Sequence, residues 1–505
     1  MQLNEQKLEL AQRLCEQEDY ERASQITYKE LKEDPNNHKW LTVMTYILLA
    51  TEKAAIAYQL AKRVVEVAPK YATGWMNLGM AARDLRRDEE AIRYNQRGLK
   101  LSDNDKQRSM LSVNLASSLI DMGRFEEGER YCLQALDQNP ESIKAVANLG
   151  FCQLAGRKWE EGWKNYRQCL GHDWRPRFQY ADEPEWDGEG RGNIVFYGEQ
   201  GLGDQISFAS VLPDAIQWAK ENDSRIILDV SNRLQSLFRR SFPEIKVYGS
   251  QGQHDLLWDK EDRRVDYSLP IGQVCEYFRN SDNDFPGTPY LKADPDRVTQ
   301  WKALFKSKKK PVIGIAWSGG IPKTGSKWRR VDLEQLFPVL KSVDAHWVSL
   351  QYKPAGKEIA NFKKDHPEID IVEYSHGTLS GDYDDTVAMV AAMDHVVAMH
   401  TTIVHVAGGL GVPCWTFVPK NSQWRYGYQG EGYPWCASVR ILRQKARGKW
   451  TDIIQQTAEE LNALFPRVSK TAGKATRKGK LRSNRTEVRT NSKQHNRQAS
   501  HRPSA

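Results

Sequence analysis

A turn with two closely spaced glycines and a terminal carboxylate is the first place in this 505-residue sequence where the residue types indicate chemistry. It reads E-Q-G-L-G-D over residues 199–204 and follows an apolar run at 194–197. When such a turn joins a strand to a helix, backbone N–H groups and the acid point into one cleft, which suits phosphates and nucleotide sugars. The candidates for an acceptor or phosphate turn are Glu199, Gln200, Gly201, Gly203 and Asp204.

Two further segments have a related pattern. Residues 312–330 combine an apolar strand with a glycine-rich basic turn, and residues 396–405 read as a strand followed at once by a helix. The three segments are separated along the chain by distances typical of domains. Together they indicate a ligand-binding site more strongly than the first turn does alone. Asp204 also has a simpler interpretation, as the N-cap of a helix that begins at Gln205, and both interpretations stay open.

The elements that precede these segments are internal repeats. Small residues recur at spacings of 34, 34, 37 and 34. Small side chains are needed where two antiparallel helices cross, and a proline 12 residues later ends the second helix in three of the units. The recurring small residues are Ala23, Ala57, Ala91, Gly128 and Gly162.

This pattern resembles the tetratricopeptide repeat, most closely in W-M-N-L-G at 75–79 followed by Ala91. It predicts an all-α solenoid of about five repeats over residues 4–171, in which the three extra residues near 102–106 lengthen a loop between repeats. Solenoids of this kind present a concave groove to a peptide or protein partner. The alternative is that the repeats only cap or dimerise the domain that follows.

Strand and helix patterns alternate through the rest of the chain, which predicts parallel sheets covered by helices. We expect a linker at 172–192, an N-terminal lobe at 193–295 and a C-terminal lobe at 296–466, with the division near 285–296. Ligands bind beyond the carboxyl ends of the strands in such sheets. Two lobes therefore imply a cleft between them.

Four segments together resemble glycosyltransferase family 9, the heptosyltransferase-like group with a GT-B fold: 199–204, G-I-A-W-S-G at 314–319, V-S-L-Q at 348–351 and H-V-A-G-G-L-G-V-P at 405–413. The chain is similar to bacterial proteins that carry this domain behind tetratricopeptide repeats. With the repeats included, the resemblance covers about residues 5–465. It implies a multidomain protein, an α-solenoid followed by a two-lobed α/β domain.

The resemblance implies roles for individual residues. Asp204 corresponds to the proposed general base, which deprotonates the acceptor hydroxyl. Lys327 is the nearest match to the basic residue that binds donor phosphates, with Arg329 close by, and a cation there makes a metal unnecessary. A solvated basic loop is the alternative interpretation.

One position departs from the family pattern. The family has an Asp-Thr pair before its histidine, whereas this chain has His400 followed by Thr401 and Thr402. The helix N-terminus and the two threonine hydroxyls can still bind a diphosphate, but the missing carboxylate bears on donor choice and on activity. His405 matches the family histidine and fits a donor-binding role or a packed structural role equally.

Aromatic and basic residues cluster at W-R-Y (424–426) and Y-P-W (433–435). These side chains suit contacts with sugar C–H groups or packing between the lobes.

Composition limits the remaining function classes. Twelve basic residues and one acid lie in 467–505, a local excess of eleven that exceeds the +8 of the whole chain, so the basicity belongs to a tail. We expect that tail to be disordered, and nucleic acid to be a partner, if at all, only there. There is no stretch of 18 apolar residues and no secretory pattern, which favours a cytoplasmic protein without a membrane span.

The sequence therefore predicts a glycosyltransferase that moves a sugar from a nucleotide-sugar donor to a glycan or protein hydroxyl. No separate cofactor is expected, since the nucleotide sugar is a co-substrate, and the repeats recruit the acceptor or a partner. The alternative is a non-catalytic scaffold whose transferase domain is degenerate and whose repeats bind protein.

Overall fold

The computed structural model describes residues 2–172, 175–251, 258–320 and 326–466. The basic tail predicted at 467–505 lies outside the described residues. Within the described ranges, the chain forms a helical array followed by two lobes, each with its own parallel sheet.

Residues 2–167 form ten helices that pack as five antiparallel pairs. The small residues of the repeats lie where the helices cross: Ala23, Ala57 and Ala91 are fully buried, and a Cβ added to Gly162 would lie 2.8 Å from the side chain of Leu154. The helices are α1 (Gln2–Glu16), α2 (Tyr20–Glu33), α3 (His38–Ala50), α4 (Ala54–Val67), α5 (Ala72–Asp84), α6 (Asp88–Leu101), α7 (Asp105–Asp121), α8 (Phe125–Gln138), α9 (Ile143–Ala155) and α10 (Trp159–Arg167).

The three extra residues of the fourth unit do not lengthen a loop, so that expectation was wrong. Helix α7 has 17 residues where α3 and α5 have 13. The connection before it, from Ser102 to Asn104, stays short. An additional turn of helix satisfies its own backbone hydrogen bonds, whereas extra loop residues need other partners.

The N-terminal lobe has a four-stranded parallel sheet of order β3-β2-β1-β4. Trp186, from the segment between solenoid and lobe, is fully buried against Phe196 and Trp218. The elements are β1 (Asn193–Tyr197), α11 (Leu202–Phe208), α12 (Leu212–Glu221), β2 (Arg225–Asp229), α13 (Gln235–Ser241), β3 (Lys246–Tyr248), β4 (Tyr267–Pro270) and α14 (Ile271–Phe278).

The C-terminal lobe has a six-stranded parallel sheet of order β10-β9-β8-β5-β6-β7. In this order the sheet grows outward in both directions from the β5–β8 pair, as in doubly wound nucleotide-binding folds. The elements are α15 (Pro295–Lys306), β5 (Val312–Ala316), α16 (Phe337–Ser342), β6 (His346–Ser349), α17 (Gly356–Asp365), β7 (Ile371–Glu373), α18 (Ser375–Thr378), α19 (Tyr383–Ala391), β8 (His395–Met399), α20 (Thr402–Leu410), β9 (Cys414–Val418), β10 (Val439–Arg443) and α21 (Thr451–Leu464).

None of the helices in these ranges combines the length and the apolar composition that a bilayer crossing requires.

The solenoid contacts both lobes. Trp163 is fully buried, donates its indole N–H to the Arg279 carbonyl of the N-terminal lobe at 2.7 Å, and meets Trp424 of the C-terminal lobe edge-on at 5.6 Å. Nearer the middle of the solenoid, Arg447 of the C-terminal lobe forms an ion pair with the buried carboxylate of Asp88. The helical array is therefore fixed against the lobes at several points.

A turn between the two helices of the fourth repeat makes one of these contacts. The corresponding turns in the other repeats hold Glu18, Glu52, Arg86 and Arg157, all in the left-handed region with φ near 60°. The fourth repeat has Gly123 there, at φ 72°, and an added Cβ would lie 2.4 Å from the Lys420 carbonyl oxygen. Other repeats tolerate a side chain at this φ, so glycine is required here by the approach of the C-terminal lobe.

We expect Gly123→Ala to lower the free energy of unfolding by more than the cost of placing an alanine in the left-handed backbone conformation. The matched control is Gly430→Ala, at φ 75° with no atom of the described chain within 4 Å of the added Cβ. Both changes cost about 1 kcal/mol for the backbone, and the clash at Gly123 should add about 1–3 kcal/mol. Urea unfolding of both variants measures the difference, and equal losses would show that the solenoid does not press on the C-terminal lobe at Gly123.

Candidate functional site

In each sheet, the order in which the chain adds strands changes direction at one point. The carboxyl ends of β1, β5 and β8 lie at these points. In the N-terminal lobe the order changes direction next to β1, and in the C-terminal lobe it changes between β5 and β8. Ligands of open α/β sheets bind at such switch points because the adjoining loops diverge and leave a crevice. The turn at 198–204 follows β1, Ser318 follows β5, and Thr401 follows β8.

Asp204 lies in the first turn of α11, not before it. The helix begins at Leu202, three residues earlier than the sequence pattern indicated, because the L-G-D segment itself is helical. The Oδ2 atom of Asp204 accepts a hydrogen bond from the Gly201 backbone N–H at 3.2 Å, so the carboxylate does cap the helix, but from its third position. Its other oxygen, Oδ1, forms an ion pair with Arg425.

Arg425 belongs to a short 3-10 turn, Trp424–Tyr426, in the C-terminal lobe. It is buried, and its guanidinium lies 5.2 Å from the ring of Phe208 and 5.0 Å from that of Trp424. These rings hold the guanidinium beside Asp204. The pair thus joins the two lobes through charged groups, while the side chain of Asp204 remains 25% exposed.

Asp204 lines a cavity of about 570 Å³ that we call the solenoid cavity, because the solenoid supplies part of its wall. Pockets of this size hold small organic ligands. It is lined from the solenoid by Arg86, Ile120, Asp121, Phe125, Phe151 and Tyr166, from the N-terminal lobe by Gln200, Gly201 and Asp204, and from the C-terminal lobe by Trp328, Arg329, His400, Pro419, Asn421, Ser422, Gln423, Trp424 and Arg425.

A second cavity of about 420 Å³, the lobe cavity, lies between the two switch points. Gly201 and Arg329 line both cavities, so the two spaces meet at these residues. The other residues of its wall are Leu202, Arg233, Ser318, Gly320, Leu350, Tyr352, Thr378, Tyr383, Thr386, Thr401, Thr402 and Ile403.

Arg329 is the cation at this junction. Its guanidinium donates to the His400 carbonyl, and its Nε has no acceptor among the described residues. Burial lowers the pKa of Arg329 from its usual value, although an arginine remains charged at neutral pH. A half-buried cation whose Nε has no acceptor among the described residues is suited to an anionic ligand.

The start of α20 forms the facing wall of the lobe cavity. Thr401 is the N-cap, but its side chain makes no capping bond, and its buried Oγ1 has no partner among the described residues. Thr402 follows as the first residue of the helix. The Thr401 hydroxyl and the positive end of the helix dipole both favour a negatively charged ligand here.

His405 lies away from both cavity walls. Its ring is buried, with Nδ1 3.1 Å from the Tyr433 hydroxyl and Nε2 3.3 Å from that of Tyr426. Burial, with a smaller contribution from Arg329, lowers the pKa of His405 to about 4. The ring of His405 therefore packs between two tyrosines, and its donor-binding role stays a prediction.

His400 lines the solenoid cavity and is also buried. Burial lowers the pKa of His400 well below its ordinary value, and the Arg329 guanidinium lowers it further. A neutral imidazole therefore stands beside the junction of the cavities, with Nδ1 3.4 Å from the Phe417 carbonyl oxygen.

The remaining residues of the first turn have different surroundings. Glu199 points inward, where its Oε1 accepts from Arg175 at 3.0 and 3.1 Å. Burial raises the pKa of Glu199, and the Arg175 charge opposes that shift. Gln200 lines the solenoid cavity and donates to the Tyr166 hydroxyl at 3.2 Å. Gly203 lies against α20, where a Cβ would come within 3.2 Å of Thr402 Oγ1.

The side chain of Lys327 lies outside the described residues, so its donor-binding role stays a prediction. Its neighbours Trp328 and Arg329 both line the solenoid cavity.

Sequence reasoning missed several residues of these walls. Arg425 stood in the W-R-Y cluster noted above, but no local signal connected it with Asp204, 221 residues earlier. Arg233 and Tyr352 line the lobe cavity, but neither belongs to a motif that the sequence analysis identified. The sequence analysis did not identify Asp121 of the solenoid, because the repeat pattern marks the residues at helix crossings and gives no information about the turns.

Comparisons with known proteins add the following. Tetratricopeptide-repeat models match residues 46–106 and 111–142. Protein FlbA of Caulobacter vibrioides is 29% identical over 427 residues, which cover 80% of this chain and 69% of FlbA. The crystal structure of MamA is 20% identical, with a TM-score of 0.27, over 31% of this chain and 91% of MamA. A thermophilic tetratricopeptide-repeat protein of Thermus thermophilus is 20% identical, with a TM-score of 0.30, over 32% of this chain and 88% of that protein.

The N-terminal units are therefore tetratricopeptide repeats, as the spacing predicted, and they support a role in protein interaction. A two-lobed α/β region with parallel sheets follows them. The FlbA match is long enough to extend beyond the repeats into this region.

The surroundings of His405 predict a pH-dependent stability. Because its folded pKa of about 4 lies below the usual 6.5, the unfolded chain binds the proton first as pH falls, and stability is lost from about pH 6.5 downward. This residue should contribute a loss of about 1.5 kcal/mol between pH 6.5 and 5.

His405→Gln, which can still hydrogen-bond both tyrosines, should unfold with a shallower pH dependence over that range. Urea unfolding at pH 8, 6.5 and 5 measures it, and the difference at pH 8 serves as the control for lost packing. Identical pH dependence in both proteins would show that His405 is not held neutral.

Proposed function

We propose that this protein is a cytoplasmic glycosyltransferase of the GT-B type, in which a nucleotide sugar in the lobe cavity donates its sugar to a hydroxyl in the solenoid cavity. One observation carries the proposal: the two cavities meet at Gly201 and Arg329, and Asp204 lies next to that junction. A transferase needs such a meeting point of two substrate sites. The resemblance of the four segments to glycosyltransferase family 9 supports the same assignment.

The lobe cavity has the groups that a nucleoside diphosphate requires. Arg329 supplies positive charge, and Thr401 and the start of α20 supply a hydroxyl and backbone N–H groups directed at one space. Arg233, whose guanidinium lies 5.2 Å from the Tyr383 ring, adds a second cation to the wall of the same cavity. These groups would stabilise the negative charge that develops on the leaving diphosphate.

Arg329→Met should weaken the binding of a nucleoside diphosphate by about tenfold or more, because a charge-assisted hydrogen bond contributes about 1.5–3 kcal/mol. Arg330→Met is the matched control, since this adjacent arginine is exposed and pairs with Asp332 and Glu358. Isothermal titration calorimetry with UDP, GDP, CDP and ADP identifies the base and then compares the variants. The donor-site assignment fails if no diphosphate binds, or if both variants bind equally.

Asp204 is the candidate base for the acceptor hydroxyl. Its two oxygens are engaged by Gly201 and Arg425, so an incoming hydroxyl must displace one of these partners or share an oxygen with it. The partial exposure of the side chain to the solenoid cavity gives that hydroxyl a path of approach. Arg425 places a positive charge beside this carboxylate.

Asp204→Asn should reduce kcat by about 10²–10⁴-fold while diphosphate binding is retained, because the amide keeps the hydrogen bond to Gly201 but cannot accept the proton. The control is Asp284→Asn, since Asp284 caps its own turn in the same way, through Ser281 N–H at 2.7 Å, and lines neither cavity. Release of the diphosphate from its sugar is the readout. Unchanged turnover in Asp204→Asn would remove this residue from the chemistry.

A second candidate function is a non-catalytic scaffold. It is favoured by the full engagement of the Asp204 carboxylate and by His400, a neutral group where the family has an acid. In that case the tetratricopeptide repeats carry the function by binding protein. Absence of diphosphate binding in the calorimetry above would favour the scaffold.

A further inference from the structure

The edge of the solenoid that carries the turns inside its repeats is part of the solenoid cavity. Arg86 comes from the turn after α5, Asp121 ends α7, and Phe125 begins α8. Phe151 of α9 completes this wall, and Asp204 lines the same cavity. We call these residues the solenoid edge, and they are distinct from the concave groove lined by the first helices of the repeats.

Asp121 is held in one orientation before any ligand arrives. Its Oδ2 accepts from Arg83 Nε at 2.7 Å and lies 3.6 Å from Arg86 Nη1. No donor among the described residues binds Oδ1, and 22% of the side chain is exposed. A fixed carboxylate with one available oxygen is a strong acceptor for a ligand hydroxyl.

Aromatic rings line the same cavity as this carboxylate. Phe151 meets Tyr166 edge-on at 5.7 Å, and Tyr166 meets Trp424 at 5.5 Å, so the three rings form a continuous apolar wall. A pyranose has the complementary surface, with C–H groups on its faces and hydroxyls around its edge. A volume of about 570 Å³ is in the range of small-ligand sites.

The concave groove has a different chemistry. Asn77, Asn114 and Ser109 line it together with Met76 and Met80. Side-chain amides at regular intervals suit the backbone of an extended peptide, and methionines adapt to varied side chains. A protein partner therefore has a separate place to bind, which leaves the solenoid cavity for a smaller, hydroxyl-rich ligand.

We propose that the solenoid edge is a recognition site for the acceptor and that the acceptor is a glycan, whose terminal sugar lies between Asp121 and the aromatic wall with its reacting hydroxyl toward Asp204. This proposal rests on the transferase function above and names its acceptor class. Asp121 accepts a hydrogen bond from a hydroxyl of this sugar, and the contacts at Gly123 and Asp88 hold the carboxylate at a constant distance from the lobes.

The test uses the full-length protein, an array of oligosaccharides with hexose, heptose and amino-sugar termini, and the diphosphate found by calorimetry. The wild type should retain one class of saccharide, and Asp121→Asn should bind it about tenfold or more weakly. Phe151→Ala, which removes part of the apolar wall, should weaken the same saccharide. Both variants should bind the diphosphate as the wild type does.

Asp84→Asn is the matched control. Asp84 ends α5 as Asp121 ends α7, one repeat earlier, and it lies outside both cavities. Its saccharide binding should equal that of the wild type, and thermal unfolding checks that all variants fold.

The outcomes separate the two proposals. Diphosphate binding without any retained saccharide, or equal saccharide binding by Asp121→Asn and Asp84→Asn, overturns the solenoid edge as an acceptor site. A peptide competing for the same cavity overturns the glycan assignment. If neither a diphosphate nor a saccharide binds, the transferase proposal fails and this inference fails with it.

Discussion

The close approach of α11 and α20 is the constraint on which the rest of the candidate site depends. The two helices can approach closely because Gly203 has no side chain. A Cβ at this position would lie 3.1 Å from His405 Cδ2 and 3.2 Å from Thr402 Oγ1. Helix α11 carries Asp204, and α20 presents its N-terminus with Thr401. This contact brings an acid of one lobe and the N-terminal end of a helix of the other to a single crevice. His405 supports it from behind as a neutral, hydrogen-bonded ring.

The solenoid belongs to the same packed body. One apolar cluster runs without interruption from Phe125 of the repeats through Ile194 and Phe196 of the first sheet to Val396 and Ile441 of the second. Close packing of this kind resists independent movement, because separating the parts exposes buried aromatic surface. The repeats therefore contribute a wall to the candidate site as well as a concave groove, and a substitution in the solenoid can change that site without touching either lobe.

Several elements could be read from the sequence and others could not. The repeat period indicated the helix pairs, and apolar runs indicated most strands, including Asn193–Tyr197, Val312–Ala316 and His395–Met399. Two strands were missed, Tyr267–Pro270 and Val439–Arg443. The first is short and ends in proline, and the second contains two arginines, so neither resembles a buried strand until its neighbours in the sheet are known.

Local patterns in the sequence were enough to establish the types of element and the candidates within the turns, because periodicity, glycine spacing and caps act over a few residues. Which of those candidates meet was settled by the tertiary structure alone. It paired Asp204 with Arg425, turned Glu199 inward onto Arg175, and placed Asp121 of the repeats across a cavity from the lobes. Such meetings depend on chain crossings, burial and long-range packing. A local pattern of residues specifies none of these, because the free energy that fixes them is shared among contacts hundreds of residues apart.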